Sequence, residues 1–307
     1  MADWLPARDF NLRHTLECGQ YFRWRRDGDG YVVQSADRCF RVSQKGDRLL
    51  FEGEDGWFLQ HFFSLDHDLR EIRGAIDHDP VIREALDRYW GLRLIRQDPW
   101  ECVASFVTSI ASNIPRITRN IEDMARETGE SMERFDRRVF IFPRPERLAP
   151  EGVLRRLKLG FRAAYLEQAA RLAAAGMLDD ITCANLGDAR DSLMCIPGVA
   201  EKVADCVLLF GFGRLDAFPV DTWIRKAMTR FYFRNRRTSD DAIRTFANER
   251  FGGFAGYAQQ YLFVHARENW KELSQRPIPK RSETTKIIRV SKAARVRELV
   301  DAVLAER

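Results

Sequence analysis

The apolar period changes once along this chain, near Asp55, and that change limits the folds open to it. Before it, "CGQYFRWRR", "YVVQSA", "RCFRVSQ" and "RLLFEG" are short β-rich runs, with the turn sequences "DGDG" (27–30) and "KGD" (45–47) between them. An antiparallel sheet is expected there. After it, helical patterns cover 151–158, 161–176, 187–194, 202–211, 221–232, 239–250 and 255–270. "DPWECVASFVTSI" offers Asp98 as N-cap, Pro99 at the first helical position and Glu101 as the capping-box partner. Val103, Phe106, Val107 and Ile110 then share one apolar face, and "SNIP" (112–115) ends the helix. The fold class is α+β. An N-terminal antiparallel β-sheet domain with a flanking helix is expected over 1–95, and a mostly α-helical domain over 96–277. Residues 278–307 read as a basic extension ending in a short amphipathic helix.

Composition removes several classes. No stretch approaches the ~18 uncharged apolar residues of a membrane span, and "MADWLPARDF" has no charged-then-apolar leader. A soluble cytoplasmic protein is expected, nucleoid-associated in a prokaryote or nuclear in a eukaryote. The six cysteines (18, 39, 102, 183, 195, 206) include no C-x-x-C pair, which speaks for reduced thiols and against a zinc site or an iron–sulfur cluster. The net charge of +5 permits a nucleic-acid partner without requiring one. Of the 50 basic residues 42 are arginine, which forks onto phosphates and base edges. A GC-rich genome would enrich arginine equally.

Against that background a lysine inside "SLMCIPGVAEKVADC" (192–206) stands out. A helix over 187–194, an I-P-G-V turn and a second helix from about 202 make a helix-hairpin-helix spanning roughly 187–212. Gly198 supplies the permissive backbone, and the leading amides of the second helix can take a backbone phosphate. Lys202 sits in that first turn. An ordinary lysine, at ~10.4, is almost wholly ammonium, so a nucleophilic one must be discharged. The helix's positive end and the apolar Val199, Val203 and Ala204 both oppose an ammonium. From these residues alone, a lysine that merely touches phosphate is the more ordinary reading. Asp221 opens the helix 221–232, where an N-cap is the usual role of aspartate. An ionised carboxylate there can also stabilise oxocarbenium character and manage a proton. Gln259 and Phe263 are four apart on one helix face, as are Lys202 and Cys206.

"CIPGVAEKVADCV" with "FPVDTWIRK" (218–226) resembles the helix-hairpin-helix glycosylase superfamily. Within it, "GQYFRWR", "DPWECVASFV", "LKLGFRAAY" and "FGGFAGYAQQYLF", in that order, resemble the 8-oxoguanine DNA glycosylase/AP-lyase family over about residues 10–270. The resemblance implies a bifunctional enzyme of base excision repair. Lys202 would attack the sugar C1′, expel the base and form a Schiff base that permits β-elimination, with Asp221 as the essential carboxylate. It gives the Gly19 carbonyl the task of reading the lesion's N7–H. Gln259 would pair with the Watson–Crick edge, Phe263 would stack on the base and Cys206 would lie against its other face. Arg116 and Arg162 would read the orphaned cytosine, with Phe161 wedged into the stack and Gly198 and Ala200 in the DNA-contacting hairpin. The family's hole-filling asparagine falls on Ala111, with Ser112 or Asn113 one or two residues away.

This sequence departs from the family pattern at two further positions. Trp223 stands where histidine is frequent, and Ala200 where a second hairpin glycine is usual, which is tolerable if its φ stays negative. No cofactor is implied, although a monovalent or divalent cation could sit on the backbone carbonyls of Met194, Ile196 and Val199. The implied partner is double-stranded DNA containing oxidised guanine, and a monomer is expected. Two alternatives stay open: a monofunctional 3-methyladenine-type glycosylase that uses the aspartate without a lysine nucleophile, and a non-catalytic DNA-binding module.

Overall fold

The computed structural model describes residues 3–150, 152–179, 181 and 184–277. The extension expected over 278–307 and Cys183 lie outside the described residues. The chain divides into two compact units. Among the described residues, one holds the chain up to Asp68 together with Trp90–Ala217, and the other Leu69–Tyr89 together with residues 218–277.

In the first unit five strands, β1 (Asp3–Pro6), β2 (Trp24–Asp27), β3 (Gly30–Ser35), β4 (Arg38–Lys45) and β5 (Arg48–Glu52), form a sheet in the order β1-β5-β4-β3-β2. All neighbours are antiparallel. Asp27 faces Gly30 and Lys45 faces Arg48, so each turn is two residues long, led by Gly28 (φ 57°) and Gly46 (φ 55°). Glycine takes that left-handed backbone without steric cost. Tyr31, Val33, Phe40, Val42, Leu49 and Phe51 alternate along β3–β5 into one core. The helix Gly56–Phe62, capped by Asp55, covers that core, and Phe40 meets the rings of Phe58, Phe62 and Phe63 at 5.8, 5.5 and 6.4 Å.

Four local expectations are corrected. Strand β2 begins at Trp24, because Cys18–Arg23 forms a turn with Gly19 at φ 90° and side chains bonded to distant segments. The sheet also gains β1 from "DWLP", which pairs with β5. A second hairpin, β6 (Ser131–Arg134) with β7 (Arg137–Phe140), interrupts the helical region. Its turn residues Phe135 (φ 52°) and Asp136 (φ 58°) are both left-handed, and Val139 packs on Val32 and Cys39 of the sheet. The pattern at 151–158 yields only a single turn, Leu154–Arg156.

Helices Pro99–Thr108, Ile114–Thr128, Arg162–Ala174, Leu186–Met194 and Glu201–Phe210 belong to this unit, with the shorter Leu12–Glu17 and Pro145–Leu148. Asp98 caps the first as expected, accepting the Glu101 N–H at 2.8 Å. In the second unit the long helix Ala255–Leu273 packs against Pro80–Arg88 and Thr222–Ala227, with Tyr257 and Tyr261 fully buried. No helix among the described residues is long and apolar enough to cross a membrane.

Candidate active site

The hairpin forms as the sequence predicts, with Leu186–Met194 and Glu201–Phe210 joined through Pro197 and Gly198. Arg190 Nε donates to Oδ1 of the fully buried Asp205 at 2.7 Å, which ties one helix to the other. Breaking one partner of such a buried pair costs far more than the pair itself contributes. Gly198 has φ 83°, and a Cβ on it would lie 2.3 Å from Cδ2 of the Tyr165 ring. Gly198→Ala should therefore destabilise the protein by about 2–4 kcal/mol, from left-handed strain plus overpacking. A denaturant melt checks this; a loss below ~0.5 kcal/mol would show that the turn relaxes freely. Ala200 is the N-cap at φ −94°, so a glycine is not needed there. It offers no side-chain oxygen to the helix, whose start is thus open to an external anion.

Lys202 lies in that first turn, half-buried, with Nζ 5.2 Å from the centroid of Phe106. Phe106 stacks on Phe210 at 5.6 Å and meets Phe22 edge-on at 5.9 Å, so the ring beneath Nζ is held in an aromatic cluster. One turn along, Cys206 is buried beside Cys102 on the helix Pro99–Thr108. Burial, and then the Cys206 thiol, push the Cys102 thiol well above its ordinary range, while Lys202 acts against that shift.

Tyr21, Phe22 and Arg23 of "GQYFRW" tie into the same scaffold. Phe22 supports Phe106, while Tyr21 Oη donates to Glu101 Oε1 at 3.1 Å. Arg23 forms a buried ion pair with Glu101 at 3.4 Å, and the Ala36 N–H donates to the same carboxylate at 2.6 Å. Burial raises the Glu101 carboxyl above its usual range, with Arg23 and the Ala36 N–H opposing. Gly19, half-buried at φ 90°, is held at the head of this motif.

Beside the hairpin, Arg162 is buried. Its guanidinium donates to the carbonyls of Ile110 (2.6 Å), Ala111 (2.7 Å) and Leu159 (3.3 Å), and lies 4.5 Å from the centroid of Phe161. Burial, and then the charge of Arg116, lower its pKa from the ordinary guanidinium value. Ala111 is left-handed at φ 47°, and Asn113 caps Ile114–Thr128 by accepting the Arg116 N–H at 3.1 Å. Phe161 is 53 % exposed, an unusual state for so large a ring, and Arg116 is exposed too. The structure thus gathers Phe161, Arg162, Tyr165 and the Ile110–Asn113 loop, with Arg162 engaged by its own chain.

In the second unit Asp221 caps Thr222–Ala227, accepting the Ile224 N–H at 2.8 Å. Gln259 is buried, and its Nε2 donates to the Pro219 carbonyl at 3.1 Å. Its Oε1 has no hydrogen-bond partner among the described residues, an arrangement that favours a donor from a ligand. Phe263, one turn on, is half-exposed with the Arg267 guanidinium 5.2 Å from its centroid. Trp223 meets Trp270 at 6.3 Å, and Lys226 Nζ lies 4.5 Å from the Trp223 ring.

Residues 4–103 match the family model described as 8-oxoguanine DNA glycosylase, N-terminal domain. A probable N-glycosylase/DNA lyase of Methanothermobacter thermautotrophicus is 34% identical over 234 residues, covering 69% of this chain and 74% of that protein. The N-glycosylase/DNA lyase of Saccharomyces cerevisiae is 33% identical over 310 residues, covering 82% of each. The chain belongs to the 8-oxoguanine DNA glycosylase family. A solved member, the 8-oxoguanine glycosylase/lyase of Clostridium acetobutylicum with double-stranded DNA containing cytosine opposite 8-oxoG, superposes with TM-score 0.82. It is 31% identical and covers 88% of this chain and 98% of its own.

For a glycosylase of this family, sequence reasoning overlooked three supports of the site: Gln20, the Arg190–Asp205 pair and Tyr165 under Gly198. Only the proximity of Gln20 to Gly19 could have flagged one of them. Among the described residues no group of three or more His, Cys, Asp or Glu could hold a metal ion. The hairpin carbonyls suit a hard cation in kind, since all are oxygen donors. Ile196 O already accepts the Val199 N–H at 3.0 Å, which leaves it one lone pair.

Proposed function

We propose that this enzyme excises 8-oxoguanine from duplex DNA and then nicks the abasic strand, with Lys202 as nucleophile and Asp221 as its carboxylate. The Lys202 amine attacks C1′, and the C1′–N9 bond breaks with its electron pair leaving on the base, which takes up a proton. The aminal opens to a Schiff base. Loss of a C2′ proton then expels the 3′ phosphate by β-elimination. The Asp221 carboxylate, at its helix start, stabilises positive charge on the sugar as the base departs.

The Gly19 carbonyl accepts the N7–H that guanine lacks, and unoxidised guanine would leave that acceptor facing a lone pair at a cost of ~1–3 kcal/mol. Gln259 pairs with the base edge through Oε1, Phe263 stacks on one face, and Cys206 closes the other. Arg116 and Phe161 enter the gap left by the flipped nucleotide, and Arg162 fixes the loop beside them. Gly198 and Ala200 present the hairpin's amides to the DNA backbone, and a cation on the carbonyls of Met194, Ile196 and Val199 would strengthen that contact. The observation that carries this reading is the half-buried lysine braced on Phe106 at an uncapped helix start.

Duplexes with 8-oxoguanine opposite each of the four bases test the substrate. Release is expected in all four, fastest opposite cytosine by roughly tenfold, the worth of one well-made polar contact. Release of 3-methyladenine with 8-oxoguanine untouched would favour the alkylated-base alternative.

A further inference from the structure

Gln20 follows the glycine of "GQYFRW" and is 1 % exposed. Its side chain is bonded at both ends. Nε2 donates to the carbonyls of Thr15 (2.9 Å) and Arg93 (2.8 Å) and lies 3.2 Å from the Cys18 sulfur. Oε1 accepts the Ile95 N–H at 2.9 Å. The Gln20 backbone carbonyl in turn accepts from Gln97 Nε2 at 2.7 Å. A primary amide has two N–H donors and one carbonyl, so both ends of this side chain are committed. The Gly19–Gln20 peptide therefore lies between a left-handed glycine and a residue pinned through side chain and main chain. Because a peptide is planar, pinning its far side fixes the direction of the Gly19 carbonyl.

We propose that Gln20, assisted by Gln97, is the positioning residue that aims the Gly19 carbonyl and thereby sets discrimination between oxidised guanine and guanine. This rests on the reading that Gly19 meets the excised base. A carbonyl rewards an N7–H and penalises a bare N7 only while it points along that hydrogen; a hydrogen bond weakens steeply once bent below ~120°. Glycine alone cannot supply such stiffness, since its backbone is the least restricted of any residue. The network runs from the Thr15–Gln20 turn to the Arg93–Gln97 segment and includes no bond to Lys202. Gln20 thus acts on base recognition and not on the amine chemistry at an abasic sugar.

The test compares wild type, Gln20→Ala, Gln20→Glu and Gln97→Ala on three duplexes. These carry 8-oxoguanine opposite cytosine, guanine opposite cytosine, or a preformed abasic site. Single-turnover release from the lesion should fall about tenfold or more in both Gln20 variants and less in Gln97→Ala, the preference over guanine narrowing in step. Cleavage of the abasic duplex should stay within about twofold, since it involves no base recognition. An unchanged preference in a folded Gln20 variant would overturn the proposal, and so would a parallel fall in abasic cleavage, the mark of a merely structural prop. Should the Gln20 variants fail to fold, Gln97→Ala decides, because among the described residues its side chain makes a single hydrogen bond. If wild type releases no 8-oxoguanine while cleaving abasic DNA, the substrate reading fails. Wild-type release with equal preference in all variants sinks the positioning role alone.

Discussion

Lys202→Gln is expected to abolish the borohydride-trapped protein–DNA adduct and to lower base excision by about 10³-fold or more. Glutamine keeps two of the four methylenes of the side chain whose Nζ lies 5.2 Å from the Phe106 centroid, but it has no amine able to form a Schiff base. The fold should survive, because Nζ contributes a ring contact rather than a buried hydrogen-bond network, and a cation over an aromatic is worth only ~0.5–2 kcal/mol. A melt close to wild type alongside the lost adduct separates chemistry from folding. Excision at the wild-type rate without any adduct would instead identify a hydrolytic glycosylase that needs no lysine.

Asp221→Asn should lower excision by about 10²–10³-fold while shifting stability by less than ~0.5 kcal/mol, because asparagine caps a helix as well as aspartate does. The Ile224 N–H at 2.8 Å needs an oxygen, not a charge. The reaction needs the charge. Asp221→Ala removes both, so it should lose the same activity and a further ~1 kcal/mol of stability. Paired melts and single-turnover rates on the three proteins make the separation. Full activity in Asp221→Asn would reduce this residue to an N-cap, the ordinary reading of its position.

Features with local causes were legible from the sequence. Asp98-Pro99 announced its helix, the D-G and K-G turns announced their hairpins, and I-P-G-V announced the corner before Lys202. Features whose causes are distant were not. "GQYFR" has strand-like composition, yet Gln20, Tyr21 and Arg23 bond to Arg93, Ile95 and Glu101, which local pattern cannot foresee. The hairpin at 131–140 turns on Phe135 and Asp136, two residues without the usual glycine signal, and its packing on Val32 and Cys39 decides the matter. Arg162 illustrates the same limit at the site. Motif position marked it for DNA, whereas its burial and its bonds to Ile110 and Ala111 depend on a loop fifty residues away.

The account turns on which atom carries the sugar. Borohydride reduction of the enzyme with 8-oxoguanine duplex, followed by proteolysis and mass spectrometry of the adduct, locates it directly. The expected result is a reduced sugar remnant on the peptide containing Lys202 and on no other lysine. A remnant on Lys226, on the N-terminal amine, or on no peptide at all would contradict it.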